Sequence, residues 1–78
     1  MHLADLASAC ERTLREPYSV TLERVRVSGI WTWRVDVAIA DGGIVHAENT
    51  VQGAAVREAH GKLATWVARF GGSVNANR

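Results

Sequence analysis

Between Leu22 and Val37 the chain reads L-E-R-V-R-V-S-G-I-W-T-W-R-V-D-V, and no other stretch constrains the fold as tightly. Two runs rich in β-branched residues flank Ser28-Gly29, and a glycine in a two-residue loop between such runs signals a hairpin. With the turn placed there, Val27 opposes Ile30. The remaining pairs follow outward: Arg26 with Trp31, Arg24 with Trp33, Leu22 with Val35 and Val20 with Val37. Side chains alternate faces along a strand. One face of the ribbon therefore carries Val20, Leu22, Arg24 and Arg26 against Val37, Val35, Trp33 and Trp31. The other carries Thr21, Glu23, Val25 and Val27 against Asp36, Arg34, Thr32 and Ile30. A slip of one residue would move Trp31, Trp33, Val35, Val37 and Ile39 to the wrong side together, so the pattern specifies its register strongly.

The second run, Ile30 to Ala40, alternates strictly and predicts a sheet with one buried and one wet face. The first, Tyr18 to Val27, changes phase: Tyr18, Val20 and Leu22 share one face, Val25 and Val27 the other. Two arrangements fit, a bulge near Glu23-Arg24 or a sheet covered on one face at its base and open on both at its tip. Asp41-Gly42-Gly43 is expected to turn the chain. A two-residue turn at Asp41-Gly42 would send Ile44, His46 and Glu48 into the core. A three-residue loop sends Val45 and Ala47 there instead and keeps charge out, with His46 opposite Ala38 and near Asp36 and Glu48.

Helical spacing brackets these strands. Leu3, Leu6, Ala7, Cys10 and Leu14 form one stripe over residues 3–16, with Asp5 early and Arg12 and Arg15 late, as the helix dipole favours. Pro17 is expected to stop this helix by disfavouring helical geometry at Glu16. From Val51 to Phe70, Ala55, Val56, Ala59, Leu63, Trp66, Val67 and Phe70 fall on one broad face, with Asn49 or Thr50 as the cap. The opposite face is small, and Gly53 and Gly61 each cost the helix about 0.8–1 kcal/mol against Ala. Two readings fit those glycines: close approach of another group, or an alanine-rich solvated face. Gly71-Gly72 is expected to end the helix in a left-handed cap.

The predicted order is α-β-β-β-α. This is an α+β fold with a three-stranded antiparallel sheet and two helices packed on one face. Residues 1–72 are expected to form a single domain and 73–78 a flexible C-terminal tail. Seventy-eight residues with 47% hydrophobic and 22% charged content suit one globular domain. No apolar span of about 20 residues occurs, which argues against a membrane helix. The start, with His2 and Asp5, lacks the basic and apolar regions of a signal peptide. Cys10 has no partner in the chain and falls on the apolar stripe, so it reads as a buried thiol and the protein as cytoplasmic.

The hairpin also carries the candidate site. A guanidinium over an indole gives roughly 0.5–1 kcal/mol at an exposed position. On the opposite face Glu23 faces Arg34, a cross-strand pair worth less than about 1 kcal/mol. Trp31 and Trp33 have two readings: a cap on a small core covered by arginine stems, or a contact patch built from residue types enriched at interfaces. The net charge is only +1, and eight of the nine cations are arginine. That balance is weaker than nucleic-acid binding usually requires, while arginine suits stacked and bidentate contacts.

Pro17-Tyr18, the alternating second strand, the glycine turn, the short third strand and the run V-Q-G-A-A-V-R-E-A-H-G-K-L-A together resemble the double-stranded-RNA-binding domain. The resemblance covers nearly the whole chain. Ala55 and Ala59 fall on that family's buried alanines, and His60 replaces the second alanine of its pair. The three lysines that would grip phosphates are Gln52, Gly53 and Val56 here. What the resemblance implies is therefore the fold, with little of the electrostatic grip on duplex that the family uses.

No catalytic residues, metal ligands or cofactors are expected. His2, His46 and His60 have no metal-like spacing, no phosphate loop is present, and His46 beside Asp36 or Glu48 has no nucleophile nearby. The expected function is a non-enzymatic protein-interaction module, an adaptor, inhibitor or dimerisation domain, binding a protein partner or itself. The alternative is weak binding of double-stranded RNA. The candidate binding residues are Arg24, Arg26, Trp31, Trp33, Arg34, Arg57 and Lys62.

Overall fold

The register dictated by the Ser28-Gly29 turn runs without a break along two ten-residue strands. In the computed structural model, which describes residues 1–71, β1 (Tyr18–Val27) pairs antiparallel with β2 (Ile30–Ile39) from Val27↔Ile30 to Tyr18↔Ile39. There is no bulge at Glu23-Arg24. The phase change in β1 instead reflects a sheet covered at its base and open on both sides at its tip. Ser28 (φ 50°) and Gly29 (φ 82°) both take left-handed conformations, the geometry whose twist matches the flanking strands.

β3 (Gly42–Asn49) joins the other side of β2, giving the sheet order β1-β2-β3. Here the structure corrects the expected loop. Ile39 pairs with Gly42, so the turn is the two residues Ala40-Asp41, and Gly42 and Gly43 belong to the strand. The pairing then jumps from Ala38↔Gly43 to Val37↔Val45, leaving Ile44 as an extra residue. This bulge achieves what a longer loop was expected to do: Val45 and Ala47 enter the core and His46 stays out. His46 consequently faces Asp36 rather than Ala38. Gly42 sits at φ 126°, a conformation open in practice only to glycine.

Both helices lie on one face of the sheet. Leu6 and Cys10 from α1 (Leu3–Thr13), Val35 and Val37 from β2, Val45 and Ala47 from β3, and Ala55, Val56, Ala59 and Leu63 from α2 (Gln52–Trp66) form one buried cluster. α1 ends three residues earlier than its spacing predicts. Leu14 is already extended and gives its N–H to Cys10 O at 2.8 Å, while Thr13 Oγ1 donates to Ala9 O at 2.6 Å. These bonds converge on the Ala9 and Cys10 carbonyls as the helix ends, and Pro17 restricts the chain beyond. At the start, the Asp5 carboxylate accepts the His2 N–H at 3.1 Å.

α2 is capped neither by Asn49 nor by Thr50. Val51 holds the cap position without a side-chain bond, and Asn49 Oδ1 accepts the Val51 N–H at 2.9 Å. After Trp66 the helix widens into a π-helical turn over Val67–Gly71, which carries Phe70 off the buried stripe and leaves it 49% exposed. The two glycines differ. A Cβ on Gly53 would lie 3.4 Å from the Met1 backbone nitrogen, so the start of the chain crosses α2 closely there, whereas Gly61 faces open space. Gly72 of the expected cap and the tail 73–78 lie outside the described residues. Among the described residues no helix is long and apolar enough to cross a membrane.

A serine in the left-handed region is strained by roughly 1 kcal/mol, which asparagine tolerates better and a β-branched residue worse. Ser28→Asn is expected to raise the urea midpoint and Ser28→Val to lower it. Burial pushes the Cys10 thiol up from its ordinary range. Because the folded pKa is raised, the associated stability is whole at neutral pH and declines as pH rises past the unfolded value of about 8.5. The urea midpoint of the native chain is expected to fall more steeply between about pH 8.5 and 10 than that of Cys10→Ala. Alkylation of Cys10 is expected to be slow until the chain unfolds.

Candidate functional site

β3 ends at Asn49, opposite Trp33. The last part of the β1–β2 hairpin, with Trp31 and its partner Arg26, therefore runs past the third strand as a two-stranded ribbon. On the helix side of that ribbon the register interleaves cations and indoles. The Arg24 guanidinium carbon lies 5.3 Å from the Trp31 ring centroid and 5.6 Å from that of Trp33, and Arg26 lies 5.4 Å from Trp31. One guanidinium thus bridges two indoles and a second covers the outer one.

The two indoles differ in burial. Trp33 packs against the core, while Trp31 is 51% exposed. The core-cap reading therefore describes Trp33, and the contact-patch geometry begins at Trp31. Ile30 and Val27 are exposed beside it at the turn. Arg26 Nε donates to Gly29 O at 3.4 Å, which ties its side chain back to the turn. No carboxylate among the described residues pairs with Arg24 or Arg26.

The opposite sheet face is a row of compensated charge. Arg34 Nη2 lies 3.0 Å from Glu48 Oε2 and its Nη1 lies 3.6 Å from Glu23 Oε1, so one arginine links carboxylates on both neighbouring strands. The hydrogen bond to Glu48 raises the Arg34 pKa further and holds the group charged. One row along, His46 Nδ1 is 2.7 Å from Asp36 Oδ1 and His46 Nε2 is 3.8 Å from Glu48 Oε1. Tyr18 at the sheet's base donates to Glu11 Oε2 at 2.8 Å, and this bond raises the pKa of its phenol.

Of the seven candidate binding residues, the structure brings four together: Arg24, Arg26, Trp31 and Trp33. Arg34 lies on the other face, held by Glu23 and Glu48. Lys62 donates to His46 O at 2.7 Å and lies 3.4 Å from Glu58, so it clasps β3 rather than facing the hairpin. Arg57 is exposed on α2.

A second surface feature was not read from the sequence. Ile44, Gly61, Thr65, Trp66, Arg69 and Phe70 line a shallow groove of about 460 Å³, with the Trp66 and Phe70 ring centroids 5.5 Å apart. Helical periodicity assigns both rings to the core. The bulge that turns Ile44 towards α2 and the π-helical turn that rotates Phe70 outward leave no signal in that periodicity.

The chain matches no family model, no curated protein and no solved structure. Its element order is compatible with the topology of the double-stranded-RNA-binding domain.

The interleaved ladder has a measurable coupling. A double-mutant cycle of Arg26→Ala with Trp31→Ala is expected to give about 0.5–1 kcal/mol in urea unfolding. The same cycle pairing Arg34→Ala with Trp31→Ala is expected to give a value near zero, because those side chains leave the ribbon on opposite faces.

Proposed function

We propose that this chain is a small non-enzymatic protein-interaction module, an adaptor, inhibitor or dimerisation domain of double-stranded-RNA-binding-like fold, that docks its partner on the Arg/Trp hairpin. One observation carries the reading: a ladder of two guanidinium groups and two indoles, its outer indole half-exposed, on a ribbon that extends past the third strand. Tryptophan and arginine are the residue types that most often dominate binding energy at protein interfaces. Here they are held in place before a partner arrives, which lowers the ordering cost of association.

The remaining surface fits this reading. The net charge of +1 gives little long-range attraction for a polyanion. Of the positions that the family resemblance assigns to phosphate-gripping lysines, Val56 is fully buried in the core and Gly53 lies under the Met1 backbone. Two of the other candidate cations, Arg34 and Lys62, are occupied within the protein.

A second reading rests on Arg24 and Arg26 having no carboxylate partner among the described residues: weak binding of double-stranded RNA through the same hairpin, assisted by Arg57 and Lys62. Its signature is affinity that falls steeply with salt.

Light scattering at graded concentrations, with pull-down in parallel, tests the first reading. Self-association or partner capture is expected for the native chain and is expected to drop about tenfold or more in Trp31→Ala, the scale of a central aromatic anchor. A strict monomer that captures nothing at any concentration refutes it. A salt-sensitive shift of duplex RNA by that same monomer selects the second reading.

A further inference from the structure

Resting on the interaction reading above, we propose that the hairpin's partner is an extended acidic segment of another protein, laid along β1, with two carboxylates spaced two residues apart that meet Arg24 and Arg26. Three observations lead there.

The first is charge. The carboxylates on the hairpin and its neighbouring strand, Glu23, Asp36 and Glu48, all leave the sheet on the face opposite the ladder, where Arg34 and His46 meet them. The ladder face keeps two guanidinium groups that pair with no carboxylate among the described residues. Arg26 gives its Nε to Gly29 O and keeps both Nη groups; a guanidinium over an indole can still offer a pair of N–H donors to a carboxylate in a bidentate fork.

The second is what the indoles have left to offer. Arg24 and Arg26 lie over their rings, so a nucleic-acid base stacking on those faces must first displace a guanidinium. A carboxylate that approaches the guanidinium edge displaces nothing. This favours an acidic peptide over a single-stranded nucleic acid at the same residues.

The third is spacing. Arg24 and Arg26 share one face of a strand two residues apart, a separation of about 7 Å. Carboxylates at positions i and i+2 of an extended segment have the same separation. β1 is an edge strand, and among the described residues no backbone hydrogen bond reaches its outer side. An added strand gains its main-chain bonds there, while its alternate side chains face the two arginines.

Selection of short random peptides displayed on phage, on the immobilised native chain, tests this. Recovered sequences are expected to be enriched in Asp or Glu at two positions two residues apart. Synthetic peptides of that consensus are expected to bind about tenfold or more weakly to Arg24→Gln/Arg26→Gln, since both charge-assisted bonds are lost, and within about twofold of native affinity to Arg34→Gln, a surface pair on the far face. Their binding is expected to shift the Trp31 indole N–H resonance and to leave Trp66, on α2, unmoved, which also reports that each variant is folded. Recovery of peptides without that acidic pair, recovery of none, or equal binding to the double variant overturns the proposal. So does tighter binding of a single-stranded or duplex RNA oligonucleotide by Arg24 and Arg26. If the acidic pair fails while Trp31→Ala still loses its partner in the pull-down, the interaction surface stands and only its acidic occupant falls. If Trp31→Ala loses nothing there, the parent reading falls by its own test.

Discussion

Everything in this fold is phased by a turn of two residues. Ser28 and Gly29 both adopt left-handed backbone, and the twist of that turn joins β1 to β2 without splaying them. From it follow ten paired positions, and from those the sorting of side chains: valines down to the helices at the base, indoles and guanidinium groups on that same side at the tip, charge pairs on the reverse. In a domain of this size, which buries only about 60–65% of its unfolded surface, a phase error has no spare core to absorb it. The strain at Ser28 is small beside the cost of exposing Val35 and Val37.

The β2–β3 connection shows a different solution to the same demand. A tight turn at Ala40-Asp41 by itself would point His46 at the core. One extra residue, Ile44, resets the alternation, so Val45 and Ala47 meet the helices while His46 reaches Asp36. The bulge also brings Ile44 alongside Trp66 and Phe70, so the correction that protects the core shapes the groove beside α2.

The hairpin was legible because period-two alternation and a glycine turn are local signals, and they placed Arg24, Arg26, Trp31 and Trp33 on one side correctly. The separation of Arg34 from that group was legible for the same reason. Its second partner, Glu48, was not, because that contact depends on the β3 register, and one inserted residue changes which neighbours face each other. The early end of α1 and the widening of α2 after Trp66 also escaped the sequence. Both arise from backbone hydrogen bonding at helix ends, where the apolar spacing that marks Leu14 and Phe70 as helical carries no information about the winding.

Lys62 has a consequence for assembly. Its ammonium group reaches over β3 to the His46 carbonyl, and a lysine at the margin of a sheet discourages a further strand from adding there. The margin along β1 carries no such guard among the described residues. The two margins of the sheet thus differ: a strand that adds to β1 displaces no lysine contact, whereas one that adds to β3 must displace the bond from Lys62 to the His46 carbonyl.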